Sequence, residues 1–398
     1  MTVASAAVVL APLCGCRSAA SRNAELPYVD VTQSHLPAAD LEGLSMDAMP
    51  VDVDRDGDLD IMIASEFQPN ILLINDGAGR FTNESARRIP QARHDSEDVG
   101  VADFDGDGDP DIVVVSEDDQ VNELYLNDGG GFFSDAGAKL PVTGVTNAVL
   151  VADIDRDGDA DILFGNNGQN FVIVNDGRAN FTDETGTRLP PIDDITQDIE
   201  LGDVDGDGDG DLLVGNEGAN RLLLNEGTGR FADATHDRLP LRAEPEETRE
   251  ADFGDVDGDG DLDIFFANVR FFQRGALREN RLLINDGRGY FTDETGSRLP
   301  QHGDNTVDGD FVDVDRDGDL DIVTANVGSL RPRGRRPYRA LINDGDGVFV
   351  DGTASVFPES VTGLGFDAEA ADLDGDGRTD FFFSSRRGVD RLVLLRAE

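Results

Sequence analysis

A nine-residue segment, Asp-x-Asp-x-Asp-Gly-x-x-Asp, begins at Asp52, Asp103, Asp153, Asp203, Asp255, Asp313 and Asp372, and it constrains this chain more than any other feature. Successive copies start 51, 50, 50, 52, 58 and 59 residues apart. A fixed period of this length signals one supersecondary unit repeated along the chain. The surroundings repeat too. Each acidic segment leads into an apolar run such as Asp60-Ile61-Met62-Ile63-Ala64 or Asp321-Ile322-Val323-Thr324-Ala325, which reads as a strand. A second run, such as Arg221-Leu222-Leu223-Leu224-Asn225, ends in Asn-Asp-Gly-x-Gly or a close variant, a hairpin signal because Asn and Gly tolerate positive φ. A third run opens on an aromatic residue, as in Phe181-Thr182-Asp183 and Phe291-Thr292-Asp293, and exits through Leu-Pro. A strand such as Asp98-Val99-Gly100-Val101-Ala102 precedes each acidic segment. Four strands per unit of about 50 residues is the pattern of a propeller blade.

The ends of the chain complement each other. Tyr28-Val29-Asp30 followed by Leu36-Pro37 matches the aromatic strand and its exit but has no acidic segment before it. Arg391-Leu392-Val393-Leu394-Leu395 matches the third strand and lacks a fourth. The N-terminal strand is therefore expected to complete the last blade, leaving no open edge. The predicted fold is all-β, a seven-bladed propeller of four-stranded blades over residues 27–398, with residues 16–26 as a linker.

Composition narrows the function. The chain of 398 residues carries 82 acidic and 33 basic residues, a net charge of −49. Such a balance repels phosphate backbones and argues against nucleic-acid binding. Of the 82 acids, 34 lie inside the seven acidic segments, so the charge is concentrated rather than spread. No internal apolar run approaches the roughly 18 residues of a membrane helix. Both cysteines are N-terminal, in Leu13-Cys14-Gly15-Cys16 after a small, apolar stretch. This resembles a bacterial lipoprotein signal over residues 1–15, with Cys16 as the lipidated residue, although Met1 to Pro12 lacks the usual basic residue. The expected location is the cell envelope, periplasmic or at the surface, with membrane contact only through a lipid anchor.

The repeated acidic loop, with its Phe-Thr-Asp-x-Thr strands, resembles the FG-GAP/VCBS repeat of bacterial surface proteins and integrin α-chain propellers. The resemblance implies calcium in the loops between first and second strands, and up to seven structural ions. Calcium takes six to eight oxygens, and alternating carboxylates on a tight turn can converge on one ion. In the first loop Asp52, Asp54 and Asp56 are assigned side-chain oxygens, Asp58 a backbone carbonyl and Asp60 the closing carboxylate, with Gly57 permitting the reversal. The same roles fall to Asp103, Asp105, Asp107, Asp109 and Asp111; to Asp153, Asp155, Asp157, Asp159 and Asp161; and to Asp203, Asp205, Asp207, Asp209 and Asp211. They continue with Asp255, Asp257, Asp259, Asp261 and Asp263, then Asp313, Asp315, Asp317, Asp319 and Asp321. The last loop has Asp372, Asp374, Asp376, Arg378 and Asp380, and Arg378 argues that the seventh side chain is not a ligand. An EF-hand would close with Glu at position twelve between helices, which this pattern does not do.

Three further features bear on function. Acids stand five residues before six of the loops, at Asp47, Asp98, Asp198, Glu250, Asp308 and Asp367, with Ala148 as the exception. They are expected to ring the central channel and to bond neighbouring loop backbone, a bound cation or basic side chain being the alternative. Arginines gather on the last blades, at Arg331, Arg333, Arg335, Arg336, Arg386 and Arg387. Their planar forks suit carboxylate, sulfate or phosphate, so an anion-binding patch is expected on the face opposite the calcium loops, for a protein or anionic glycan ligand; pairing with nearby acids is the alternative. Catalysis has little support. His94 and His302 are the candidates for the alternative reading, a lyase-like polysaccharide-processing enzyme, and neither sits in a recognisable constellation. The expected molecule is a monomeric binding or adhesion module rather than an enzyme.

Overall fold

The computed structural model describes residues 26–37, 43–301, 303–327 and 336–396. The chain is all-β, built from antiparallel four-stranded units with single-turn helices between them. The first unit has strands Ser45–Val51, Asp60–Gln68, Ile71–Asn75 and Phe81–Asn83, and the helix Ser85–Arg88 follows it. The next three start at His94–Ala102, Thr146–Ala152 and Asp194–Gly202, and two more at Thr248–Gly254 and Thr306–Val312. The last group contains Gly365–Ala371, Asp380–Ser385 and Arg391–Leu395, and its fourth strand is Tyr28–Asp30, with Tyr28 opposite Leu395 and Asp30 opposite Val393.

Alternation explains why the second strands bury both faces. Ile61 and Ile63 pack with Leu373, Phe382 and Leu392 of the last unit, whereas Met62 and Ala64 pack with Val99, Ile112 and Val114 of the second unit. The same division recurs along the chain. Among the described residues, six of the seven apolar clusters lie between two consecutive units and the seventh adds Val269 of a third, so the core consists of sheet-on-sheet layers rather than one central mass. The outermost strands need only one apolar residue facing inward, and Phe231–Asp233 buries Phe231 alone.

First strands of consecutive units pack on one another, and Gly365–Ala371 packs on Ser45–Val51. A polar cavity of about 410 Å³ lies between them. Each first strand runs into an acidic loop and six of the third strands into an Asn-Asp-Gly-type turn or a close variant, so loops and turns share one end of the sheets. Connections between second and third strands lie at the other. The hairpin Asn also ties units together: Asn127 Nδ2 donates to Val53 O at 2.8 Å, Asn175 to Phe104 O at 2.8 Å, and Asn75 to Leu373 O of the last unit at 2.9 Å.

Candidate metal centre

Each acidic loop is folded by its own carboxylates. Asp52 accepts the N–H groups of Asp56 at 3.2 Å and Gly57 at 3.1 Å, and Gly57 holds φ at +97°, which favours glycine at position six. Asp60 is buried, and its two oxygens accept Val53 N at 3.2 Å and Asn75 N at 2.8 Å. The ninth-position carboxylate thus fastens the start of the loop to the end of the third strand. Asp111, Asp161, Asp211, Asp263, Asp321 and Asp380 repeat the arrangement. Burial pushes Asp60, Asp111, Asp263 and Asp380 up to about 7, against the lowering effect of the two backbone donors. Asp161, Asp211 and Asp321 rise to about 6 for the same reason.

Carboxylate oxygens of Asp52, Asp54 and Asp60 lie within 4.8 Å of one another, as do those of Asp153, Asp155 and Asp161, and of Asp103, Asp105 and Asp107. Ligands on opposite sides of an ion at ~2.4 Å are ~4.8 Å apart, so each set falls within one calcium-type coordination sphere. The third-position residue carries an unmet hydrogen-bonding capacity. Oδ1 of Asp54, Asp155, Asp205 and Asp257 is buried and meets no hydrogen-bond donor. An oxygen left that way costs ~1–3 kcal/mol or more.

The other oxygen of each is held by an arginine that sequence reasoning missed. Arg88 reaches Asp54 at 3.1 Å, Arg188 reaches Asp155 at 3.1 Å, and Arg298 reaches Asp257 at 3.1 Å, while Arg238 stands 3.8 Å from Asp205. Each closes a single-turn helix and also donates to a turn carbonyl of the following unit. Arg88 bonds Gly130 O at 3.0 Å, Arg188 bonds Thr228 O at 3.1 Å, and Arg238 and Arg298 bond Arg288 O and Asp346 O. The available signal was a basic residue directly before the Leu-Pro or Ile-Pro exit, as in Arg188-Leu189-Pro190 and Arg88-Ile89-Pro90.

Position seven has a structural use of its own. The Asp159 carboxylate lies so close to Gly177, at φ +70°, that a Cβ there would collide with it. Asp109 pairs with Arg55 of the preceding loop at 2.7 Å, and Asp209 pairs with Arg156. In the last loop Arg378 instead clamps the fifth-position carboxylate Asp376.

The remaining sequence candidates separate. Four of the six acids predicted on the first strands bond the adjacent first strand rather than loop backbone. Asp47 accepts Val99 N at 3.0 Å, Asp98 accepts Val149 N at 2.7 Å, Asp198 accepts Ala251 N at 2.9 Å, and Asp367 accepts Ala48 N at 3.1 Å. Cys16, Arg331, Arg333, Arg335 and His302 lie outside the described residues. Arg336 donates to Phe357 O at 2.8 Å and Arg386 pairs with Glu66, so internal partners already engage both; Arg387 is exposed. His94 Nδ1 is 2.5 Å from Asp119, and Nε2 is 3.8 Å from Glu123.

One further construction stands at the end of the sheets opposite the loops. The insertion after Asp263–Asn268 presents Phe271 and Phe272, 42% and 72% exposed, with Arg249 over both rings. Its backbone is held from below by buried Glu247, whose carboxylate accepts Phe271 N at 2.9 Å, Phe272 N at 3.0 Å and Gln273 N at 3.0 Å.

Comparison with solved structures supports the architecture. BBS1N, solved in complex with ARL6DN, is 10% identical, with a TM-score of 0.59 and coverage of 93% of this chain and 98% of that one. The extracellular domain of a hybrid two-component system from B. thetaiotaomicron is 10% identical, with a TM-score of 0.56, coverage of 92% of this chain and 39% of that one. A lectin from Agrocybe aegerita that recognises non-reducing terminal N-acetylglucosamine is 18% identical over 87% of this chain and 93% of that one, with a TM-score of 0.49. No curated protein matches. FG-GAP-like repeats match residues 52–114, 103–164, 153–214 and 203–266, which overlap to span more than half of the sequence, and the chain belongs to the FG-GAP-like repeat family.

Proposed function

We propose that the chain is an exported, calcium-stabilised seven-bladed β-propeller, closed by its N-terminal strand, that serves as a binding or adhesion module in the cell envelope. Lipid anchoring through Cys16 belongs to the same reading. The pairing of Tyr28–Asp30 with Arg391–Leu395 and the packing of successive first strands support closure. The unpartnered third-position oxygens support calcium, whose ligands would come from positions one, three, five, seven and nine of each loop. These residues fit a hard cation, which would neutralise carboxylates that now share each loop.

The single observation that carries the binding role is the tip at Phe271 and Phe272. Phe271 and Phe272 form an exposed aromatic pair, and the buried Glu247 carboxylate fixes the backbone beneath it. Rigid aromatic anchors suit a protein ligand or a glycan whose acidic groups reach the exposed Arg387 at the same end of the sheets. A screen against anionic glycans and envelope proteins, run on the intact chain and on Phe271→Ala/Phe272→Ala, tests it. Ligands held by the intact chain should be lost by the variant at unchanged melting temperature. Equal binding by both would refute the assignment. The second reading, a lyase-like activity, has the His94–Asp119 pair in its favour. It predicts depolymerisation of a polyanionic polysaccharide that His94→Ala abolishes.

A further inference from the structure

The cavity between the first strands is lined by ten carboxylates and one guanidinium, that of Arg249, which is already paired with Glu217 at 3.1 Å. Hydrogen bonding to the adjacent strand explains part of this acidity and leaves the rest without a purpose. A second tier, two residues further along the strand, carries Glu200, Asp252, Asp310 and Glu369 on four consecutive units. The other three units have Met49, Gly100 and Leu150 there. The acids therefore crowd one side of the cavity. Within that side the ligand atoms of Asp47, Asp367 and Glu369 lie within 4.8 Å of one another, the span of one coordination sphere. Asp308 lines the same cavity and is 7% exposed, and its Oδ2 meets no hydrogen-bond donor.

We propose that this cavity is a further cation site, distinct from the loops, in which Asp308, Asp47, Asp367 and Glu369 bind one divalent metal ion with oxygen ligands. Like charges packed this closely cannot all remain ionised unless a positive charge joins them. A divalent ion relieves several of them at once and gives Asp308 Oδ2 its missing partner. Space permits it: an ion with six waters, at ~30 Å³ each, needs ~180 Å³, and the cavity offers about 410 Å³.

The test is diffraction from crystals of the intact chain grown with Mn²⁺ and measured at the manganese edge, because location separates this site from the loops. The expected result is an anomalous peak between Asp308 and Glu369. Peaks at the loops with none in the cavity would overturn the proposal and leave the calcium reading standing. A cavity peak with bare loops would do the reverse. In solution, Asp308→Asn/Glu369→Gln should lower the bound metal by one ion per chain and raise the melting temperature in EDTA, since repulsion is removed. Equal metal content in variant and parent would overturn the site.

Discussion

Stripping divalent ions from the chain should lower its melting temperature by roughly 7–13 °C, a range that follows from the loops themselves. With a Kd near ~0.1 mM, as in extracellular modules, ~1 mM calcium stabilises a site by ~1.4 kcal/mol. Four loops have an unpartnered third-position oxygen, at Asp54, Asp155, Asp205 and Asp257, and these alone give ~6 kcal/mol. All seven give ~10 kcal/mol. The unfolding entropy of a 398-residue chain is ~0.8 kcal/mol/K, which converts the two sums to ~7 and ~13 °C. The assay is scanning calorimetry in 1 mM calcium and in EDTA at matched ionic strength. Replacing Asp155 and Asp161 by Asn should shrink the difference between calcium and EDTA by one increment, ~2 °C, and a second loop far from it should shrink it by another independently. A shift below ~2 °C on chelation, or one that sodium chloride restores as well as calcium does, would refute the reasoning.

Two other expectations follow from single residues. Arg188 is 9% exposed and serves Asp155, Glu184 and two carbonyls, so Arg188→Ala should cost ~3 kcal/mol, or ~4 °C in melting temperature, more in EDTA than in calcium. Equal losses in both media would separate the arginine from the metal loop. Asp390 is pushed up to about 7 by burial while it accepts Ser45 Oγ at 2.8 Å and Ser385 N at 2.8 Å. The folded state then holds a proton that the unfolded chain releases near pH 4, so this group's contribution is present at low pH and is lost as pH rises toward 7. Asp390→Asn should flatten the decline in melting temperature between pH 4 and 7; an unchanged slope would count against it.

The fold was legible because the repeat encodes it three times over: in the spacing of the acidic segment, in the period-two apolar runs and in the Asn-Asp-Gly turns. The single-turn helices were not legible. Segments such as Thr185–Arg188 are too short for a helical period, and only the tertiary bond from Arg188 to the next turn gives them a role. The ninth-position Asp read correctly as the end of the loop, but its two backbone donors come from residues 7 positions before and up to 22 after it, a relation no local pattern shows. For the arginines, anion binding and pairing with acids both stood open, because sequence cannot place Arg386 beside Glu66, 320 residues away. Asn75 read only as a turn residue, whereas its side chain also latches the first unit to the last.

Leu392 N donates to Thr32 Oγ1 at 3.0 Å across 360 residues of sequence. That bond joins segments made at opposite ends of synthesis, so one unit must wait for the whole chain before it can assemble. Until Arg391–Leu395 has been made, Tyr28–Asp30 has no strand to pair with and its sheet edge stays open. Premature termination would leave that edge permanently bare and open to proteases. Only a chain translated through residue 395 can therefore cover the strand Tyr28–Asp30.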